Sequence, residues 1–286
     1  YNIEEYLRST VTKYNELIRK ATGAEPKLSK VPTPFLQEDH SENPAARPCA
    51  EGPAIECPWC KHCFPKDSAK PPAPKRAKSK AKTDPEGNTG KLQPLAASVL
   101  MKVMYAARMA RFDLLRAVSR LACFITKWDT KCDKALHRLM CYIHSSYGHR
   151  QCGWVGDVLT DVSPHVYADA DLGGCTTSNR STSGRHLNLE GPKTRFPLAA
   201  SSKRQGCIST STPEAEIVSA YDAVKMSLLP CLDLWETLLP RGFRATFHED
   251  NTAMIQVCKT GRNPTMKHMA RCQRIPISWM HERLQS

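Results

Sequence analysis

The spacing of apolar residues changes repeatedly along the chain. Ile3, Tyr6, Leu7, Val11, Tyr14, Leu17 and Ile18 recur at helical spacing among charged residues up to Gly23, which predicts an amphipathic helix over 1–22. Residues 36–56 carry no period and read as loop. Residues 66–93 are Lys, Ala, Pro, Ser and Asp with hardly a large apolar side chain. Burial there could not offset the entropy of ordering, so a disordered basic linker is expected. Beyond Pro94, Val99, Leu100, Val103 and Ala107, then Leu114, Leu115, Val118 and Leu121, mark a helical region; Leu136, Leu139, Met140 and Ile143 mark a further helix over 131–145.

From about Gly153 the period shortens to that of strands. Segments 166–169, 185–189 and 195–200, with turns at Gly184 and Gly191-Pro192, predict an antiparallel meander. Thr212 then reads as a helix N-cap with Pro213 at the first helical position, and Ile217, Ala220, Tyr221, Val224 and Leu228 as the buried stripe. Pro230 predicts a kink or restart. A strand over 245–247 and a helix over 252–260, closed by Gly261, complete an α/β pattern.

Composition adds a polyanionic partner to this picture. Lys and Arg number 41 against 28 Asp and Glu, a net charge of +13, which favours phosphate contact through counterion release. A basic solvated tail would account for the same excess. Lys70, Lys75, Arg76, Lys78, Lys80 and Lys82 concentrate it in the linker, as a phosphate-contacting or nuclear-import tract or as plain solvated chain. There is no uncharged apolar run of about 18 residues and no signal-peptide layout, so no membrane and a non-secreted, cytoplasmic or nuclear protein are expected. The 13 cysteines, many set singly in apolar patterns, fit reduced thiols. Tyr1 in place of methionine is read as the start of a piece of a longer polypeptide.

Two clusters carry candidate chemistry. In Cys57-Pro58-Trp59-Cys60-Lys61-His62-Cys63, the Cys-x-x-Cys pair is half of a tetrahedral Zn²⁺ site to which His62 or Cys63 could add a third ligand; no second pair is close by, and a reduced loop is the alternative. The other cluster is acidic. Asp169 ends a strand, Glu216 lies in the first turn of a helix, and Asp250 follows another strand. Carboxylates gathered at such edges repel one another unless a cation neutralises them, so a divalent-metal site is expected. Asp171 competes with Asp169, and Glu214 and Glu249 with their neighbours.

The motifs Tyr167-Ala168-Asp169-Ala170-Asp171, Arg180-Ser181-Thr182-Ser183-Gly184, Ser201-Ser202-Lys203-Arg204-Gln205, Ser211-Thr212-Pro213-Glu214-Ala215-Glu216, Glu249-Asp250-Asn251 and Lys267-His268 follow one another over roughly the last 120 residues. Their order and spacing resemble the ribonuclease H domain that ends the Pol polyprotein of copia-type LTR retrotransposons. Residues 1–35, with Val31-Pro32-Thr33-Pro34, resemble the end of the reverse transcriptase palm. Residues 94–158 resemble the helical thumb-to-connection region, although the usual Arg-Pro-Asp-Ile turn reads Arg111-Phe112-Asp113-Leu114. Residues 36–93 form an insert outside the pattern, and 159–286 form the ribonuclease H-like domain.

The resemblance implies a mixed five-stranded sheet with helices on both faces. It implies hydrolysis of the RNA strand of an RNA/DNA hybrid by two Mg²⁺ (or Mn²⁺) ions about 4 Å apart, with Asp169 bridging and Glu216 and Asp250 as further ligands. An upstream reverse transcriptase segment would be the partner in the polyprotein. The polymerase motif Tyr-x-Asp-Asp is absent, which excludes polymerisation by these residues alone. Arg180, Ser181, Thr182, Ser202, Lys203, Gln205 and Asn251 are candidates for hydroxyl or phosphate contacts. The family's Lys-His-Ile-Asp reads Lys267-His268-Met269-Ala270 here, so a fourth acid is missing and His268 is counted with the catalytic residues as a stand-in. A degenerate or domesticated copy that binds nucleic acid without cutting it is the alternative.

Overall fold

The computed structural model describes residues 1–35, 54–56, 63–65, 89–175, 177–238 and 244–285. Tyr1–Leu36 and Gly90–Ser286 form one compact unit, and Gln37–Thr89 a second. Helix α1, Glu4–Thr22, opens the first unit with Glu4 and Glu5 at its N-terminus and Arg19 and Lys20 in its last turn, complementing the helix dipole. Gly23, at φ 76°, adopts the left-handed conformation that ends it, and its N–H caps the Arg19 carbonyl. In the second unit, β1 (Ala54–Glu56) pairs antiparallel with β2 (Cys63–Pro65). Cys57, Cys60 and His62, the expected zinc ligands, lie outside the described residues, as does the side chain of Cys63 and nearly all of the expected basic linker.

Back in the first unit, α2 (Gln93–Met109), a 3-10 turn (Phe112–Leu114), α3 (Leu115–Ala122) and α4 (Thr130–Ser145) pack with α1. Their apolar stripes meet in one core that includes Leu7, Tyr14, Leu100, Val103, Leu114, Leu136 and Met140, each contributing roughly 1.5–3 kcal/mol by burial if aliphatic. Residues 1–35 and the helices after residue 93 therefore share a single core. Arg111, 2 % exposed, fixes the bend after α2: it donates to Ser146 O at 3.0 Å and Ser146 Oγ at 2.8 Å and grips Asp113 with two further bonds.

The sheet follows. Strands β3 (Ser163–Asp171), β4 (Thr182–Gly191) and β5 (Thr194–Arg204) form the antiparallel meander. Helix α5 (Thr212–Ala223), a π turn (Val224–Leu228) and α6 (Leu229–Leu238) precede β6 (Thr246–His248), which pairs parallel with β3. A parallel neighbour needs such a crossover. The strand order is β5-β4-β3-β6. Helices α7 (Thr252–Thr260), α8 (Met269–Cys272) and α9 (Ile277–Gln285) end the chain.

This mixed, open sheet flanked by helices has four strands among the described residues, where the resemblance implied five. After α7, Asn263 caps a 3-10 turn, Pro264–Met266, and α8 follows where a further strand could have formed. Around Pro230 the disturbance comes earlier than a simple kink: the helix widens into the π turn just before a residue that cannot supply its N–H.

Burial alternates strictly along β3. Pro164, Val166, Ala168 and Ala170 are buried, whereas Ser163, His165, Tyr167, Asp169 and Asp171 are not. Val166, Ala168 and Leu187 pack with Ile217, Ala220 and Val224 of the crossover and with Met254 and Met269. On the other side α3 lies against β5, and Phe112 meets His186 edge-to-face at 5.8 Å. The last residues of β3 therefore emerge from a sheet held on both faces. No described helix is long and apolar enough to cross a membrane.

Candidate metal centre

Three short devices bring carboxylates together at one end of the sheet. The first is the end of β3, where Asp169 stands opposite Gly184 and points out of the buried pattern. Ser219 of α5 reaches the carbonyls of both residues, at 2.8 and 3.0 Å, and so ties the helix to that strand pair. The second is the start of α5. Ser211 caps it, accepting from Glu214 N–H, and Gln205 donates to Ala215 O at 2.9 Å and Ser183 Oγ at 3.0 Å while accepting from Ser209. This buried network sets the first turn, and with it Glu216. The third is the corner after β6, where Asn251 caps α7 through Met254 N–H at 2.9 Å and its own N–H donates to Glu249 Oε1 at 3.1 Å.

The result is a cluster of Asp169, Glu216 and Asp250 with one carboxylate oxygen from each within 4.8 Å of the others. Asp169 and Asp250 are exposed and Glu216 is buried, 4 % exposed. Burial, then the negative charges of Glu249, Asp169 and Asp250, push the Glu216 carboxyl up to about 7, and an N–H bond from Ala170 offsets little of this. Glu249 rises to about 7 as well, chiefly by burial, with Asp250 and Asp169 adding to the effect against the Asn251 N–H bond.

The donor set fits a divalent cation. Glu216 Oε2 is buried with no hydrogen-bond partner, and an unpaired buried carboxylate oxygen beside other anions is the environment that a hard cation relieves. Asp169, Glu216 and Asp250 are the residues that would hold it. All three offer oxygen, the ligand type of Mg²⁺ and Mn²⁺ rather than of soft metals.

The competitors separate. Asp171 accepts the Thr182 N–H and closes the β3–β4 pairing. Glu214 accepts from Thr210 N–H at 2.8 Å, the Thr210 hydroxyl at 2.6 Å and Gln273 at 3.3 Å. Burial would raise its carboxyl, but these donors outweigh burial and hold it below the usual range. His268 stands against this structural acid, with Nε2 3.4 Å from Glu214 Oε1 and poorly aligned for a hydrogen bond; it is not a member of the trio. Ala270 is exposed. Sequence reasoning ranked Glu249 below Asp250, yet it sits in the same field; the adjacent acids Glu249-Asp250 at a strand end were the available signal.

The candidate nucleic-acid contacts divide in the same way. Ser181 is fully buried and its hydroxyl accepts from Gly173 N–H at 3.1 Å. Gln205, 4 % exposed, is spent in the network described above. Both are corrections: polar side chains at the foot of a strand satisfy buried backbone and hydroxyl groups here instead of facing solvent. Asn251 acts as a helix cap, and Thr182 is tied to Asp171 through its backbone. Arg180 and Ser202 are half-exposed, and Lys203 is exposed, 3.9 Å from Asp222. A groove of about 620 Å³ between α3 and the sheet runs up to Asp169, past Phe112, Arg116, Tyr167, His186 and Ser202.

Comparison of the chain with protein-family models, with curated proteins and with solved structures gave no match.

Proposed function

We propose that the unit carrying the acidic trio is a divalent-cation-dependent nuclease that hydrolyses the RNA strand of RNA/DNA hybrids, as the ribonuclease H part of a copia-type retroelement Pol protein. The observation that carries this reading is the convergence of Asp169, Glu216 and Asp250 from two strand ends and a helix start, with a buried, unpaired Glu216 oxygen among them. Mg²⁺ or Mn²⁺, when bound, would lower the pKa of a coordinated water and stabilise the charge that builds on the phosphate. The protein's part is positioning. Gln205, Ser211 and Ser219 hold α5 so that Glu216 stays within reach of Asp169, while the Asn251 cap aims Asp250. The net charge of +13, with Arg180 and Lys203 near this end of the sheet, favours the polyanionic substrate.

A second reading, hybrid binding without cleavage, is favoured by Ala270 and by the engagement of His268 with Glu214, which leave no fourth group from that segment in the trio. Incubation of a labelled RNA/DNA hybrid with the protein in Mg²⁺ and in Mn²⁺ separates the two. The nuclease reading expects cuts in the RNA strand alone, abolished by Asp169→Asn. Cleavage that survives that substitution removes the trio from the reaction, and tight binding with no cuts establishes the second reading.

A further inference from the structure

From residue 251 to residue 281 the chain carries no Asp or Glu, while Lys259, Arg262, Lys267, Arg271 and Arg274 supply five cations. All five are exposed, and none of their side chains makes an ion pair or hydrogen bond among the described residues. Lys267, Arg271 and Arg274 lie around the short helix α8. Met266, Met269 and Ile275 seat this stretch in the core that holds Val166 and Ile217, so its charged residues are left at the surface. Lys267 is itself helical, at φ −58° and ψ −26°, so Lys267 and Arg271 stand four apart along one turn, where like charges repel. Ala270, exposed between them, adds no counter-charge.

The stretch is fixed beside the helix that supplies Glu216. Gln273 donates to Glu214 Oε1 at 3.3 Å, His268 Nε2 lies 3.4 Å from the same oxygen, and the Cys207 thiol donates to the Cys272 carbonyl at 3.2 Å. Glu214 and Glu216 both lie near the start of α5. Cations that a fold holds in place without acidic partners are neutralised by a polyanion, and a nucleic-acid backbone offers a regular row of charges. We propose that Lys267, Arg271 and Arg274, continued by Lys259 and Arg262 at the end of α7, form the surface that grips the phosphate backbone of the RNA/DNA hybrid. The surface rests on the hybrid being the ligand, which the cutting and the non-cutting readings share. It moves the main contact from Arg180 and Lys203 to the C-terminal segment; Lys203 already stands 3.9 Å from Asp222.

Fluorescence anisotropy of a labelled hybrid in EDTA, over a series of KCl concentrations, tests this with no cleavage taking place. Each phosphate contact contributes about 0.9 to the slope of log K against log salt. Lys267→Gln, Arg271→Gln and Arg274→Gln combined are expected to flatten the slope by about 2–3 and to weaken binding roughly tenfold or more at about 0.1 M salt. Lys267→Gln alone is expected to flatten it by about 0.9. Lys20→Gln, Lys27→Gln and Lys30→Gln combined remove the same charge from exposed positions of the N-terminal segment, and are expected to change the slope by less than about 1. Circular dichroism checks that the variants fold. An unchanged slope in both the single and the triple C-terminal variants, or an equal loss in the N-terminal control, overturns the surface. In that event RNA cuts that appear in Mg²⁺ and vanish in Asp169→Asn still uphold the nuclease reading. Wild type that binds no hybrid at any salt concentration overturns the surface and both readings together.

Discussion

Replacing Glu216 by Gln should stabilise the metal-free protein at alkaline pH, although it removes a central residue of the site. The fold holds this carboxyl at about 7 against 4.5 for a free one, first by burial and then by the charges of Glu249, Asp169 and Asp250. A carboxyl raised in this way contributes stability that is complete below 4.5 and is lost as pH rises through about 7. The full displacement corresponds to about 3 kcal/mol. Because Asp169 and Asp250 open the cluster to solvent, screening reduces the expected effect to about 2 kcal/mol at pH 8, and to well under 1 kcal/mol at pH 5. The Gln variant in EDTA should therefore melt roughly 4–8 °C above wild type at pH 8 and nearly with it at pH 5. Added Mg²⁺ should reverse the order at pH 8, since only wild type gains by binding, by about 2.7 kcal/mol at a hundredfold excess over Kd. Urea or thermal unfolding at the two pH values, with and without Mg²⁺, gives all four numbers. A variant no more stable than wild type at pH 8 in EDTA, or one that gains equally at pH 5, refutes the electrostatic account of the site.

Other residues make separate predictions. Gln205→Ala should cost about 2 kcal/mol in urea unfolding, because it leaves Ser183, Ser209 and the Ala215 carbonyl without their partner; a loss below about 0.5 kcal/mol would show that the network does not hold the start of α5. Arg111→Lys should cost about 2 kcal/mol, since an ammonium cannot bond Ser146 and Asp113 together as the fork does; a loss below ~0.5 kcal/mol would show that the bend after α2 does not depend on it. Glu190 runs opposite to Glu216: burial works to raise its carboxyl, but bonds from Asn188 and Tyr167 and the charge of Arg195 hold it below the usual range. Its contribution is present above 4.5 and lost as pH falls, so Glu190→Gln should flatten the acid limb of the stability profile, and an unchanged limb would count against it.

Local pattern made much of the fold legible. The helices α1, α4 and α7 lie close to where periodicity and the stops at Gly23 and Gly261 put them, and the meander was visible from alternation broken by Gly and Pro. The strands were read too short. β3 extends back to Ser163 because His165 and Tyr167 alternate with buried residues on a face whose rings pack together: Tyr167 stacks on His248 at 4.1 Å, and His165 bonds His248 at 2.8 Å. A polar residue facing such a surface has no apolar signature along the chain. Pro230 marked a disturbance of the helix and residues 111–114 a turn, but the π form of the first and the Arg111–Ser146 bonds that fix the second depend on packing between elements distant in sequence.

For the site, chemistry and approximate position along each element came from the sequence alone: Asp169 near a strand end, Glu216 near a helix start although one turn further in than expected, Asp250 at a corner. These are matters of period and capping, set by residues a few places away. Only the tertiary structure decided that the three oxygens lie within 4.8 Å, that Asp171 and Glu214 are spent on backbone and loop, that Ser181 and Gln205 are interior, and that the charge of Glu249 falls on Glu216. The reason is physical. A side chain's direction along a helix or strand follows from its own backbone, whereas its burial and its neighbours' charges depend on which remote segments the sheet and the crossover helix bring against it.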